Sequence, residues 1–351
     1  MRLRVRPATH PCASVAIAFV AVALAGTMAY AQGRTDVVTL RNGDRLTGEI
    51  IRLDRGRLEF KTDDAGTLYL EWDKLNSLVA AREFEVGTSD GRWFLGTLVR
   101  TVDRSIGVTD PSGTVSLLMV DVTQITPIGT SLWKKLDGAI DAGFSYTQSS
   151  GIAQLNVHWD TVFRKPAFQG RLTASLTQTE TDDGSGDDDR ASVEISYLRY
   201  RWQRWFIGGA ARFENNESLG LELRSQVGFL LGPRLVNTNR AQLEIGAGLA
   251  FNDERGVDVE PTQNVEALLM FATSFYTYDR PKTTLDITLQ YYPSLNDVGR
   301  QRIQFDAGVK RELWKDFFVS LNAYNSYDSR PPNPAANTND VGVVLSIGWS
   351  Y

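Results

Sequence analysis

The sequence predicts an all-β protein, with a C-terminal antiparallel transmembrane β-barrel of about twelve strands preceded by a small duplicated β module. Three observations lead to this prediction. Apolar and polar side chains alternate over long stretches of the second half, as in "VGVVLSIGWSY" at residues 341–351. Asn-Gly and Asp-Gly turn signals recur in the first half. Beyond the first 31 residues, no apolar run reaches the length of a membrane helix.

The N-terminus reads as a cleaved signal peptide spanning residues 1–31. Three arginines precede the apolar run "ASVAIAFVAVALAG", and the small-residue cleavage pattern "AYA" ends at residue 31. A retained membrane anchor is the less favoured alternative, because the apolar run is short. The only cysteine, Cys12, lies before that run, so we expect neither a disulfide nor a lipid anchor in the mature chain.

The charge balance of the chain argues against nucleic-acid binding. There are 37 basic and 42 acidic residues, and the predicted signal removes three arginines and no acids. The mature chain therefore carries a net charge of about −8 and has no basic run that would suit a phosphate backbone.

Residues 32–130 are predicted to form a periplasmic module, here called the leader, built from two similar copies. The segment "RNGDRLTGEII" at residues 41–51 matches "SDGRWFLGTLV" at residues 89–99, an offset of 48. A second pair, at residues 64–78 and 110–125, repeats at nearly the same offset. Each copy is expected to form a bent antiparallel sheet of about five strands resembling an SH3-like or Sm-like barrel. Such a module either binds a periplasmic protein partner or serves as a spacer.

Residues 131–351 are predicted to form the barrel, because segments of period-two alternation here have the length of membrane strands. Twelve such segments return the chain to the side where it began. Connections after even-numbered strands are mostly short and cationic, such as "RKPA", and those after odd-numbered strands are mostly longer and polar, such as "TDDGSGDDDR". We therefore expect short turns at the periplasm and long loops outside. The acidic loop lacks EF-hand spacing, which favours a solvated loop over a cation or lipopolysaccharide contact.

Aromatic side chains are expected in the two interfacial belts of a membrane barrel. Five tryptophans fall at predicted periplasmic strand ends: Trp133, Trp202, Trp205, Trp314 and Trp349. Four tyrosines fall at predicted outer ends: Tyr146, Tyr291, Tyr292 and Tyr327.

The predicted register places both signs of charge on the lumen face. Mixed signs favour a network that braces the interior, although a narrow channel stays open as an alternative. The candidate lumen residues are Asp141, His158, Arg171, Glu194, Arg212, Glu222, Arg224, Glu244, Glu266, Asp286, Arg302, Asp306 and Lys310.

The sequence gives little support for catalysis. The single histidine of the mature chain, His158, is expected in the lumen, whereas a lipid hydrolase usually places its histidine and serine on the outer wall. A structural histidine is the favoured interpretation. No G-x-S-x-G, H-E-x-x-H or phosphate-loop pattern occurs, and we expect no catalytic residue, cofactor or metal.

The segments "LRNGDRLTGEI" and "WKKLDGAIDAGFSYTQSSG", followed by a short aromatic-ended closing strand, resemble the YdiY-like family of salt-induced outer-membrane proteins, whose function is unassigned. The resemblance lies mostly in residues 133–351. It implies a role in envelope or osmotic adaptation. By resemblance to outer-membrane barrels generally, the closing strand is the signal read by the barrel-assembly machinery, through Leu345, Ile347, Trp349 and Tyr351.

Together these observations predict a non-enzymatic protein of the Gram-negative outer membrane, with its leader in the periplasm. Its expected partners are membrane lipid, lipopolysaccharide, the assembly machinery during insertion and a periplasmic protein. The first alternative is a small-solute diffusion channel gated by the leader. The second is a lipid-modifying enzyme.

Overall fold

The computed structural model of the protein describes residues 35–129, 136–147, 152–165, 167–181, 188–202, 204–256, 259–278, 281–314 and 316–350. The predicted signal peptide, Trp133, most of the acidic loop, Tyr351 and the side chain of Tyr146 lie outside this description. Within it, no helix has the length and apolar character needed to cross a membrane.

The leader is a single antiparallel sheet of nine strands within the described residues. The strands run in the order β4-β3-β2-β1-β5-β6-β7-β8, and β9 pairs with both β2 and β5. Their bounds are β1 Asp36–Leu40, β2 Arg45–Asp54, β3 Arg57–Lys61, β4 Thr67–Glu71, β5 Leu75–Thr88, β6 Trp93–Arg100, β7 Ser105–Asp110, β8 Gly113–Leu118 and β9 Val122–Pro127.

The long strand β5 joins the two copies of the sequence repeat. Its first half pairs with β1, and its second half pairs with β6 and β9. One-turn 3-10 helices, Trp72–Lys74 and Met119–Asp121, occupy matching places in the two copies. The indole Nε1 of Trp72 donates a 2.6 Å hydrogen bond to the carbonyl of Met119, which ties the copies together. The likeness to SH3-like folds stays a prediction.

The repeated glycines Gly48 and Gly96 have a steric explanation. A Cβ on Gly48 would lie 2.5 Å from the carbonyl oxygen of Lys61, and one on Gly96 would clash with the carbonyl oxygen of Thr109. Neighbouring strands therefore approach too closely for a side chain at either position. Beneath them, eighteen buried apolar side chains, Phe60, Leu75 and Leu98 among them, form one continuous core.

The predicted twelve-stranded barrel is confirmed: in the described part of the chain, β10 to β21 form a closed antiparallel barrel in sequence order. The closing strand β21 pairs with β10, where Ile140 lies opposite Trp349. The bounds are β10 Leu136–Thr147, β11 Ile152–Lys165, β12 Phe168–Thr181, β13 Asp188–Arg201, β14 Trp205–Asn216, β15 Leu221–Asn237, β16 Ala241–Gly256, β17 Thr262–Thr277, β18 Thr283–Pro293, β19 Gln301–Trp314, β20 Phe317–Asp328 and β21 Asn339–Ser350.

The period-two alternation separates an apolar outer wall from a polar interior. Ile195, Phe229 and Leu345 point outward and are 60%, 59% and 65% exposed. The strand register shows which side chains face inward together. Asp141 and His158, for example, lie opposite each other in one inward-facing row. An unbroken band of exposed apolar side chains around a closed barrel suits contact with lipid.

The prediction that Glu222 faces the lumen is wrong. The register shifts between Glu214 and Asn216 on one side of β15, and between Leu221 and Leu223 on the other. These irregularities invert the alternation at the start of β15, so Leu221 is fully buried while Glu222 is exposed.

Four of the described tryptophans lie at one end of the barrel, whereas Trp159 lies within β11. Trp202, Trp205 and Trp314 border the short turns and are well exposed, and Trp349 lies near them on β21. At the opposite end, Tyr292 is buried inside the barrel, because its even-numbered position on β18 faces the lumen.

Candidate functional site in the barrel lumen and its mouths

The leader docks across the mouth of the barrel that is bordered by the short turns. Among the described residues, four ion pairs join the two parts at nitrogen–oxygen distances of 3.4 to 3.6 Å. They are Arg52–Asp137, Arg164–Asp54, Lys165–Glu85 and Arg240–Asp73. Backbone carbonyls of the leader add to this interface, since Asn239 donates to Val122 at 2.8 Å and Asn237 donates to Thr88 at 3.4 Å.

The turn between β2 and β3 also contacts the barrel directly. The guanidinium of Arg55 lies 5.3 Å from the ring centre of Tyr276, and that of Arg57 lies 5.5 Å from the ring centre of Tyr278. Between them, Gly56 has a φ of +75°, and a Cβ there would lie 2.7 Å from the carbonyl oxygen of Asn239. Glycine is thus required both by the turn and by the contact.

Nearby carboxylates keep the arginines at and beside this turn protonated. Burial lowers the pKa of the Arg52 guanidinium, but the carboxylates of Asp137, Glu59 and Asp54 raise it above its ordinary value. Burial also lowers the pKa of Arg55, which the carboxylates of Asp286 and Asp54 then raise well above its usual range. Both arginines therefore stay cationic at the mouth.

A network of buried ion pairs occupies the opposite end of the lumen. At its centre, Arg224 contacts three carboxylates: Glu214 at 2.7 Å, Glu254 at 2.7 Å and Asp328 at 3.3 Å. Arg300 links two of these, Glu254 and Asp328, at 2.8 and 2.6 Å. The strands concerned, β14, β15, β16 and β20, are not all neighbours, so these pairs cross the interior.

A second buried pair extends the network. Arg302 contacts Glu266 at 2.5 Å, donates to Gln226 at 3.4 Å, and lies 4.7 Å from the ring centre of Tyr292. The side chains of Arg302 and Glu266 are almost fully buried. The guanidinium is thus satisfied by a carboxylate, an amide and an aromatic face.

The loop at residues 329–338, between β20 and β21, lies over this end of the barrel. The backbone amide of Asn337 donates to the carbonyl of Ser218 at 3.2 Å, so the loop reaches the hairpin on the far side. A Cβ on Gly220 would lie 2.7 Å from Asn333, and one on Gly256 would lie 2.9 Å from Pro332. The loop therefore packs against the rim.

An apolar cluster inside the barrel was not predicted. Phe206, Leu230, Ala250, Leu268 and Tyr292 are buried together on the lumen face. The sequence does contain an indication of this cluster. Large apolar side chains occur at inward-facing positions of these strands, where polar side chains alternate with the outward apolar ones. This cluster fills part of the space that a water-filled pore would need.

Twelve of the thirteen candidate lumen residues lie on the inward face, and Glu222 alone does not. Glu214, Glu254, Arg300 and Asp328, which hold the network together, are absent from the predicted set. Arg212 contacts both Glu194 at 3.6 Å and Glu214 at 2.8 Å, and so joins the network. Arg171 pairs with Asp160 near the leader end, and Glu244 pairs with Arg234.

One inward row brings together the residue types of a hydrolase. Asp141, His158 and Ser175 lie opposite one another on β10, β11 and β12. The hydroxyl of Ser175 instead shares a 2.8 Å hydrogen bond with Ser192, and within the described residues none joins it to His158. The described residues also include no cluster of three metal-binding side chains.

A closed antiparallel barrel with an apolar outer wall and a charged interior defines an outer-membrane type of β-barrel. The chain belongs to the DUF481 family of proteins of unknown function, whose model matches residues 139–351. No curated protein matches the chain.

The chain is similar to several solved structures. A bacterial polysaccharide outer membrane secretin is 8% identical, with a TM-score of 0.34 over 62% of this chain and 97% of that one. The translocator domain of the autotransporter NalP from Neisseria meningitidis is 10% identical, with a TM-score of 0.35 over 62% and 86%. A porin is 11% identical, with a TM-score of 0.27 over 77% and 98%. The barrel resembles these proteins in general form only.

Proposed function

We propose that this is a non-enzymatic outer-membrane protein whose barrel is closed at rest and whose leader, docked in the periplasm, acts as an interaction module or a spacer. The observation behind the proposal is that both mouths are covered. The leader spans one mouth, and the ion-pair network around Arg224 and the loop at residues 329–338 cover the other.

The location in the outer membrane is supported by the apolar wall of the barrel. Outward side chains such as Ile195 and Phe229 would meet lipid, and the exposed tryptophans at the short turns suit the inner interface. The leader docks at that same end, which supports a location of the leader in the periplasm. Lipid, lipopolysaccharide and the assembly machinery then remain the expected partners, with a periplasmic protein on the leader.

Single-channel recording of the refolded full-length protein in a planar bilayer tests the closed barrel. We expect no steady conductance, because buried pairs such as Arg224–Asp328 join distant strands across the lumen and are costly to separate. Steady conductance in the full-length protein would contradict the proposal. The same recording after deletion of residues 36–128 distinguishes closure by the leader from closure by the ion-pair network. If the truncated protein also shows no conductance, the network alone closes the barrel.

A leader-gated diffusion channel is the second candidate, and the polarity of the docking interface favours it. The leader is held by ion pairs at 3.4 to 3.6 Å and by cation–π contacts. Such contacts weaken in high salt, so the interface would respond to ionic strength, in keeping with the osmotic role that the YdiY-like resemblance implies. Conductance that appears only after deletion of the leader would favour this candidate.

The enzyme alternative is tested at His158, whose row contains Asp141 and Ser175. We expect the His158→Ala variant to leave the lipid profile of the outer membrane unchanged, because Ser175 bonds to Ser192 instead. A changed profile would overturn the non-enzymatic proposal.

A further inference from the structure

A cleft lies between the leader and the periplasmic ends of the barrel strands, and its lining is strongly basic. Two leader side chains and four barrel side chains supply the cations. They are Arg55, Arg92, Arg164, Lys165, Arg204 and Arg234. Of the described residues that line the cleft, only Asp54 is acidic.

Four of these cations already have carboxylate partners. Arg92 pairs with Asp90 and Arg234 pairs with Glu244, both at 2.7 Å. Lys165 lies 3.6 Å from Glu85. Arg164 lies 3.5 Å from Asp54 and 3.3 Å from Asp137. These pairs fix the walls of the cleft.

Arg55 and Arg204 differ from the other four. Neither guanidinium has an ion pair or hydrogen bond to another residue in the described part of the chain. Arg55 lies over the face of Tyr276, and the carboxylates of Asp286 and Asp54 act on it without a direct ion pair. The Nε atoms of Arg55 and Arg164 are both buried without a hydrogen-bond partner among the described residues. Charged donors buried in this way are costly unless an acceptor reaches them.

We propose that this cleft binds a phosphate group, with Arg55 and Arg204 as its principal ligands. The guanidinium fork matches the oxygens of a phosphate in a bidentate geometry. An incoming anion would satisfy the buried Nε donors without breaking the four existing pairs. The assignment requires the docked leader but not a silent barrel, so bilayer conductance leaves it unaffected.

The phosphate can come from a free anion or from a phospholipid headgroup. Arg204 lies in the turn between Trp202 and Trp205, both exposed at the height of the inner interfacial belt. Headgroup phosphates occupy that level of the membrane. The free anion would instead enter from the periplasm, beside the leader.

Calorimetric titration of the full-length protein in detergent micelles tests the proposal with two probes, inorganic phosphate and dihexanoyl phosphatidylglycerol. We expect saturable binding of at least one probe, weakened about tenfold or more by Arg204→Gln. Binding of the lipid alone assigns the headgroup as ligand, and binding of inorganic phosphate alone assigns the free anion. Arg55→Gln should weaken the same probe, but Arg204→Gln is the cleaner variant because Arg55 also contacts Tyr276.

Arg45→Gln is the matched control. Arg45 is an exposed arginine at the other end of β2, and its substitution removes the same charge. We expect it to leave both affinities unchanged. Absence of saturable binding of either probe, or an equal loss in Arg45→Gln and Arg204→Gln, would overturn the proposal.

Discussion

The guanidinium of Arg55 in the leader lies 5.3 Å from the ring centre of Tyr276 in the barrel wall. The tyrosine is held in place, because its hydroxyl donates a 2.7 Å hydrogen bond to the carbonyl of Thr238 and its side chain is buried. A cation from one part of the chain thus rests on a fixed aromatic face of the other. This contact is part of the docking interface.

The first prediction concerns the turn that carries Arg55. We expect Gly56→Ala to weaken docking of the leader, because the new Cβ would meet the carbonyl oxygen of Asn239 at 2.7 Å. Faster hydrogen exchange of the β2 and β3 amides, or faster proteolysis of this turn, would report the loss.

Gly66→Ala is the matched control for that variant. Gly66 also has a positive φ, of +69°, but no atom lies within 4 Å of a Cβ there. Both variants share a strain of about 1 kcal/mol, so their difference measures the contact with the barrel. If the two substitutions had equal effects, Gly56 would be required only for the conformation of its turn and not for the contact with the barrel.

The second prediction is that salt loosens the leader. The docking pairs are partly exposed, and at about 1 M salt the screening length falls to roughly 3 Å. We expect exchange of the β2–β3 turn to quicken with added NaCl while the β10–β21 amides stay protected. Asp137→Asn should reduce the salt effect, because Asp137 accepts from both Arg52 and Arg164. A leader whose exchange does not change with salt would count against an electrostatic interface.

The third prediction concerns the buried pair of Arg302 and Glu266. We expect Glu266→Gln to destabilise the barrel by about 3 kcal/mol, because it leaves a guanidinium with 2% exposure short of its carboxylate. Equilibrium unfolding by urea in lipid vesicles measures the loss. Arg330→Gln, which breaks an exposed pair with Asp297, should cost less than about 1 kcal/mol. Similar costs for both variants would mean that the interior pair contributes no more than a surface pair.

The alternation of apolar and polar residues predicted much of the fold, because it assigns the two faces of each strand without reference to the other strands. The alternation of Ile195 with Ser196 is sufficient to assign two faces, and Gly43, with a φ of +92°, follows the Asn-Gly turn signal. The position of Glu222 was predicted wrongly. The inward and outward positions are exchanged at the start of β15 because the pairing of β15 with β14 and β16 shifts there, and sequence alternation alone does not reveal such a shift.

The candidate site was less accessible to sequence reasoning, because it depends on contacts between distant parts of the chain. Arg224 and Asp328 meet only because β15 and β20 face each other across a closed barrel. In the same way, the contact of Arg55 with Tyr276 depends on how the leader fits the mouth. The mixed charges on the lumen face predicted an interior held together by ion pairs, but not which residues form each pair.

The last prediction tests the membrane-facing wall directly. Ile195 lies midway along β13, is 60% exposed and points away from the lumen. Ile195→Arg would place a charge near the centre of the bilayer, at an expected cost of about 2–4 kcal/mol in folding into lipid vesicles. Leu95→Arg provides the control, because Leu95 is 44% exposed on the leader, outside the proposed membrane region, and should change stability little. If Ile195→Arg folded into vesicles as well as the unmodified chain, this wall would not face lipid, and the proposed location in the outer membrane would fail.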